Sequence, residues 1–168
     1  SSRIVMSAHA INQGRFPDIS NGMNTDFFFI KKDDPEQVAD EIVKLVRDRL
    51  PKAYKQPLCN IQVLTPMQRS VVGAGNLNTV LQQALNHNTL SLSRGGNTYK
   101  LGDRVMQIRN NYDKNVFNGD IGTVEKVNLE DRTLTINFDD TMMEYEASEL
   151  DEVVLAYATT IHKSQGSE

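Results

Sequence analysis

Ile121-Gly122-Thr123-Val124-Glu125-Lys126-Val127-Asn128-Leu129 alternates apolar and polar residues, and Leu134-Thr135-Ile136-Asn137-Phe138 repeats the pattern after a turn signal at Glu130-Asp131. A period of two places alternate side chains on opposite faces of a strand, so the two segments predict an antiparallel pair with one buried face. Upstream, Val105-Met106-Gln107-Ile108 is strand-like, and Asn118-Gly119-Asp120 signals a tight turn before the alternation begins. Downstream, Met142 to Ala147 is a further candidate strand. Several short strands within residues 98–152 fit a small all-β barrel of the SH3-like kind.

The rhythm differs on both flanks. Phe27-Phe28-Phe29-Ile30 is a short apolar run between polar residues and predicts a buried strand. Asp34-Pro35-Glu36-Gln37 is a helix start, with Asp as cap, Pro at the first helical position and Gln closing a capping box. Val38, Ile42, Leu45 and Val46 follow at helical spacing, and Pro51 is expected to end the run. Ile61-Gln62-Val63-Leu64 predicts a second strand, and Leu77, Val80, Leu81, Ala84 and Leu85 a second amphipathic helix. Ser91 to Asn97 is polar and glycine-containing and predicts a linker. Val153-Val154-Leu155-Ala156-Tyr157 is continuously apolar, as in a central parallel strand. The predicted fold class is α/β, a parallel sheet covered by helices and interrupted by the inserted barrel.

Composition removes several classes of protein. The one cysteine, Cys59, makes no internal disulfide, and three scattered histidines give no zinc-ligand spacing. Cys59 itself is expected to be a small core residue. No apolar run approaches the ~18 residues of a membrane span. A net charge of −4 argues against binding nucleic acid by bulk charge. The charge is nevertheless uneven: residues 98–152 hold six basic and thirteen acidic side chains, the remainder twelve and nine. The absence of an initial Met, and a last residue that directly follows Gly166-Ser167, lead to the expectation of a piece of something longer.

Chemistry concentrates at the end of the chain. Ala158-Thr159-Thr160-Ile161-His162-Lys163-Ser164-Gln165-Gly166-Ser167-Glu168 follows an apolar strand, and in open α/β sheets ligands bind beyond the strands' carboxyl ends. Thr160 and Lys163 suit phosphate oxygens, and His162 shares the face of Thr160 if the chain stays extended. Gly166 allows close backbone approach, and Glu168 suits a sugar hydroxyl. In the barrel segment, Lys100, Arg104, Arg109 and Lys114 interleave with Tyr99, Tyr112 and Phe117, a composition that suits stacking and phosphate contact. Tyr112 is expected to be exposed and Phe117 to belong to the core. Ser7, His9 and Asp18 lack the surroundings of a hydrolase triad, and Glu144 and Glu146 read as a solvated strand face.

Residues 158–168 closely resemble motif V of superfamily 1 helicases, and Leu64-Thr65-Pro66-Met67-Gln68-Arg69 resembles their motif IV. Gly102 to Gln107, Asn110 to Asp113 and Phe117 to Gly122 resemble the SH3-like insertion of RecD-type helicases, and Ser7 to Gly14 the opening of that family's second motor domain. The resemblance implies a RecA-like second motor domain of the P-loop NTPase type over 1–90 and 153–168, with a linker at 91–97 and the insertion at 98–152. It implies an ATP-dependent, 5′-to-3′ DNA helicase of recombination and repair, located in the cytoplasm. Its cofactors would be ATP and Mg2+. Its partners would be single-stranded DNA, the first RecA-like domain and other subunits of an exonuclease complex, with no membrane.

Carried over by motif, Arg69 would be catalytic at the γ-phosphate, and Gly166 and Glu168 would face the nucleotide. Thr160, His162 and Lys163 would meet DNA, together with Tyr112, Arg109 and Lys114 of the insertion. No G-x-x-x-x-G-K-[ST] string occurs, so this chain alone is expected not to hydrolyse ATP. The alternative is a non-catalytic module, an SH3-like barrel on an α/β platform that recognises nucleic acid or protein.

Overall fold

The computed structural model describes residues 2–165, and the chain divides between Asp33 and Asp34 into two units. In the first unit, helix α1 (Arg3–Asn12) is capped by Ser2, whose hydroxyl accepts from the Val5 amide. The Arg3 guanidinium donates to the carbonyls of Asp18 and Ser20 and pairs with the Asp18 carboxylate at 3.0 Å. The predicted strand at Phe27-Phe28-Phe29-Ile30 does not form, and Phe28 is 52% exposed. The Asn21 side chain takes both backbone groups of Phe29, donating to its carbonyl and accepting from its amide at 2.9 Å, which removes them from any ladder.

In the second unit, helix α2 (Pro35–Lys44) starts at the predicted Asp34 cap, whose carboxylate accepts from the Glu36 amide, but the expected capping box does not close at Gln37. Pro51 does not stop the helix. The backbone widens into a π-helical turn, Leu45–Arg49, and continues as α3 (Leu50–Tyr54), with the Leu50 amide reaching back to the Leu45 carbonyl. Proline lacks an N–H and crowds the carbonyl four residues earlier, and a wider turn just before it accommodates both effects. Lys55 then ends the helix in the left-handed region at φ 52°.

A short 3-10 turn at Leu58–Asn60 leads into strand β1 (Val63–Thr65), and helix α4 (Ala74–Leu85) follows. Cys59 lies on that turn and is exposed, not a core residue. The apolar stripe of α4 packs Leu77 and Leu81, both fully buried, against Ala39 and Val46 of the α2 helical stretch and against Ala158.

The expected linker at 91–97 is a hairpin. Strands β2 (Ser91–Arg94) and β3 (Asn97–Lys100) turn on Gly95 and Gly96, at φ +57° and +81°, the two left-handed positions of a tight hairpin turn. Leu92 pairs with Tyr99, and both enter the barrel core, so the apolar partner inside each short strand supplies what the polar composition concealed.

The barrel sheet consists of β4 (Arg104–Gln107), β5 (Ile121–Asn128), β6 (Thr133–Phe138), β7 (Thr141–Glu146) and β8 (Val153–Leu155). Its order is β7-β6-β5-β4-β8, antiparallel throughout. A bulge between Val124 and Lys126 bends β5. Val105, Val124, Leu134, Ile136 and Tyr145 fill the interior. A Cβ on Gly122 would lie 2.7 Å from the Asn137 carbonyl, so only glycine permits the approach of β5 to β6.

The run Val153 to Tyr157 is not a central parallel strand. Its first three residues form β8 against β4, and the chain then leaves the barrel. The parallel strand is β9 (Ala158–Thr160), paired with β1 in the register Val63↔Ala158, Leu64↔Thr159, Thr65↔Thr160. The run is apolar because it serves two cores in succession, Val153 in the barrel and Tyr157 against the cluster around α4. A one-turn helix, α5 (Ile161–Ser164), ends the described chain. The fold is therefore α/β with a parallel strand pair under helices, interrupted by a small all-β barrel.

Candidate nucleic-acid and nucleotide interface

Parallel pairing sets the geometry of the site. With Thr65 opposite Thr160, the segments after β1 and β9 leave the same end of the pair. The first of these, 66–73, folds tightly onto the start of α4. The Ala74 and Gly75 amides donate to the Met67 and Gln68 carbonyls, and the buried Thr65 hydroxyl donates to the Val72 carbonyl at 2.6 Å. These bonds occupy N–H groups that a helix start leaves open. Arg69 lies in this segment, exposed, and its guanidinium has no hydrogen-bond or ion-pair partner among the described residues.

At the second exit, Thr160 caps α5, its hydroxyl accepting from the Lys163 amide at 3.2 Å. The chain is therefore helical at His162. His162 is exposed, but it no longer shares a strand face with Thr160, which corrects the extended reading. Lys163 Nζ donates to Asn118 Oδ1 at 3.3 Å and joins this turn to the barrel loop between β4 and β5. Gly166 and Glu168 lie outside the described residues.

A cleft of about 560 Å³ runs between α4, β9 and the β2–β3 hairpin, with Gln68, Asn78, Thr98, Thr159, Thr160 and Lys163 in its wall. Asn78 fixes one side of it, accepting from the Ala158 amide and donating to the Leu155 and Ala158 carbonyls. The cleft thus brings part of the motif IV-like segment and the motif V-like turn into one wall.

The barrel residues separate into two groups. Tyr112 is 77% exposed and meets Phe117 edge to face, ring centroids 5.7 Å apart. Phe117 is 37% exposed and absent from the barrel core, contrary to expectation, because the Asn111–Val116 bridge closes the loop with Val116 inward and leaves Phe117 beyond it. Arg109 pairs at the surface with Asp151 at 3.5 Å. Lys114 is held by the barrel itself: its ammonium pairs with Glu149 at 3.1 Å, donates to the Glu144 carbonyl and lies 5.2 Å from the Tyr145 ring centre. Tyr99 is buried and donates to the Leu150 and Val153 carbonyls. Burial pushes its phenol up to about 12.

Sequence reasoning passed over Asn118, Gln82, Asn86 and Asp103. Asn78, Gln82 and Asn86, buried polar residues at four-residue spacing along α4 and its cap, were the available signal. Among the described residues no group of three or more His, Cys, Asp or Glu side chains could hold a metal ion, and no helix is long and apolar enough to cross a membrane.

Residues 77–138 match the ATP-dependent RecD-like DNA helicase SH3 domain family. The likeness is therefore to the SH3-like insertion of RecD-like DNA helicases, and it covers this barrel segment and the end of the preceding helix. The chain is similar in particular to the ATP-dependent RecD2 DNA helicase of Deinococcus radiodurans, 38% identical over 108 residues, 64% of this chain. It spans 15% of that curated relative's length. Two solved structures of Pif1 from Bacteroides are also similar. The unliganded one has TM-score 0.44 and 15% identity, over 94% of this chain and 81% of that one. The complex with ADP-AlF3 and single-stranded DNA has TM-score 0.47 and 15% identity, over 83% and 42%.

Proposed function

We propose that this chain forms part of an ATP-dependent 5′-to-3′ DNA helicase of recombination and repair, contributing one side of an ATP cleft and part of a single-stranded DNA track. The supporting observation is the Thr65↔Thr160 register, which sends the Arg69 segment and the Thr160–Lys163 turn out of the same end of the parallel pair.

The exposed guanidinium of Arg69 fits a phosphate. Planar and permanently charged, it would stabilise charge on transferring phosphoryl oxygens of ATP held by a facing motor domain. The described residues offer no acidic cluster for Mg2+, so that ion would be held by the facing domain or by residues outside the described ones. Thr160, His162 and Lys163 would grip the DNA backbone, and Tyr112 with Phe117 would offer a stacking surface. Arg109, at the surface, could exchange Asp151 for a phosphate. Lys114 would act indirectly, by holding the loop that carries Tyr112. Gly166 and Glu168 remain proposed nucleotide contacts. The cytoplasmic location and the exonuclease-complex partners belong to the same proposal.

ATP hydrolysis by the full-length protein, with and without single-stranded DNA, tests this reading beside an Arg69→Ala variant. DNA-stimulated turnover that the variant loses while still binding DNA is expected. No stimulation in the unaltered protein would favour a non-catalytic binding module.

A further inference from the structure

Asp103 directly precedes β4 and is fully buried, with four donors on its carboxylate. Oδ1 accepts from Asn86 Nδ2 and the Tyr157 hydroxyl, both at 2.7 Å. Oδ2 accepts from Gln82 Nε2 at 2.6 Å and the Lys100 amide at 2.7 Å. The donors come from three places: Gln82 and Asn86 from α4 and its cap, Lys100 from the β2–β3 hairpin, and Tyr157 from the crossing between β8 and β9. Asp103 is thus a knot between the α/β layer and the barrel, and every group on it is neutral.

The donors have little freedom to rearrange. Gln82 Nε2 also donates to the Thr98 carbonyl, and Asn86 Nδ2 to the Leu101 carbonyl, while Asn86 Oδ1 accepts from the Asn88 amide. Neither amide can flip without losing a second bond, and a backbone N–H has no acceptor to offer. The Oδ2 position therefore requires a group that only accepts, while at Oδ1 the Tyr157 hydroxyl alone is able to turn and accept.

We propose that Asp103 is a positioning residue: it locks the barrel onto α4 and the β8–β9 crossing, and thereby sets the distance across which Lys163 meets Asn118. Tyr157 directly precedes β9, so the phenol held by Asp103 fixes the strand that delivers Thr160 and Lys163. On the barrel side, the Gly102 and Val124 backbone groups tie the same corner to β5, whose start follows the Asn118 loop. The consequence for DNA rests on the function proposed above; the lock itself does not.

The variant Asp103→Asn keeps the shape but turns one oxygen into a donor, which faces the Gln82 and Lys100 donors in one amide orientation and the Asn86 donor in the other. Tyr157→Phe removes one donor and is the milder change. Spin labels at Asp40→Cys on α2 and Lys126→Cys on β5, in a Cys59→Ser background of this 168-residue chain, report the spacing of the two layers. Near-ultraviolet circular dichroism reports whether the barrel tyrosines remain packed. A narrow distance distribution is expected in the background protein, a broad one in Asp103→Asn and an intermediate one in Tyr157→Phe. Binding of a fluorescent oligo(dT) is expected to weaken about tenfold in Asp103→Asn, as for the loss of one or two buried hydrogen bonds.

Distributions as narrow as the background in both packed variants overturn the proposal. If Asp103→Asn does not fold, Tyr157→Phe decides by the same measure. If the background protein binds no oligonucleotide, the DNA reading falls, and the distance widths still decide the role of Asp103.

Discussion

Lys163 Nζ donates to Asn118 Oδ1 at 3.3 Å, tying the turn after β9 to the loop between β4 and β5. Both side chains are exposed, so the bond adds little to stability. It holds an ammonium at the mouth of the cleft, beside the Tyr112–Phe117 pair's loop. Asn118→Ala is expected to leave stability within about 0.5 kcal/mol. Lys163→Ala is expected to weaken single-stranded DNA binding and to lower the salt slope by about one, as read from titrations at several salt concentrations.

The Arg69 segment depends on a missing side chain. A Cβ on Gly73 would stand 2.3 Å from the Arg69 carbonyl oxygen, a backbone atom with no room to yield. Gly73→Ala is expected to destabilise by about 1–3 kcal/mol in urea unfolding. Gly75 provides the control. Its Cβ would meet the Gln68 carbonyl at an ordinary 3.5 Å, within α4, so Gly75→Ala is expected to be neutral or to gain about 0.5 kcal/mol.

Inside the barrel, the fully buried Tyr145 hydroxyl donates to Gln107 Oε1 at 2.7 Å. The Gln107 amide nitrogen is committed to the Arg109 carbonyl and Glu152, which fixes the orientation of the side chain. Tyr145→Phe would leave a buried acceptor unpaired, at an expected cost of about 1–3 kcal/mol in thermal unfolding. An unchanged midpoint would mean that water reaches Gln107.

Three tyrosines resist ionisation. Burial raises the phenols of Tyr99, Tyr145 and Tyr157 above the ordinary value of 10.0, Tyr99 to about 12; Asp103 adds to the effect at Tyr157. A raised value means that the folded state holds its proton more firmly than the unfolded chain. The associated stability is complete below pH 10 and is lost as pH rises through 10 to 12 and beyond. Denaturant midpoints are expected to fall across that range, and the tyrosinate absorbance of these three residues to appear together with unfolding.

Where local spacing and burial coincide, the sequence was readable. The Asp34-Pro35 helix start, the α4 stripe and the alternation in β5 and β6 all depend on neighbours within a few residues, and each stands where the pattern put it. The readings that failed were those in which the same pattern has two physical outcomes. Phe27 to Ile30 is apolar enough for a strand, yet Asn21 takes the Phe29 backbone. Val153 to Tyr157 is apolar enough for a central strand, yet it passes from one core to another. At the candidate site, Arg69, Thr160 and Lys163 were legible as residue types at motif spacing, whereas Asn118 was not, because its role depends on a partner 45 residues away.

By itself, the sequence determined the class of this protein: helices under a parallel pair, an antiparallel barrel inserted between them, and the order of the helicase-like motifs. Period, capping and turn chemistry are local, and they survive without knowledge of what touches what. Only the tertiary structure decided which apolar run became the parallel strand, which aromatic faced solvent and where the two layers are fastened. Those outcomes are set by long-range pairing, as in the Thr65↔Thr160 register and the four bonds on Asp103, and the energy of such contacts belongs to residues that the chain keeps far apart.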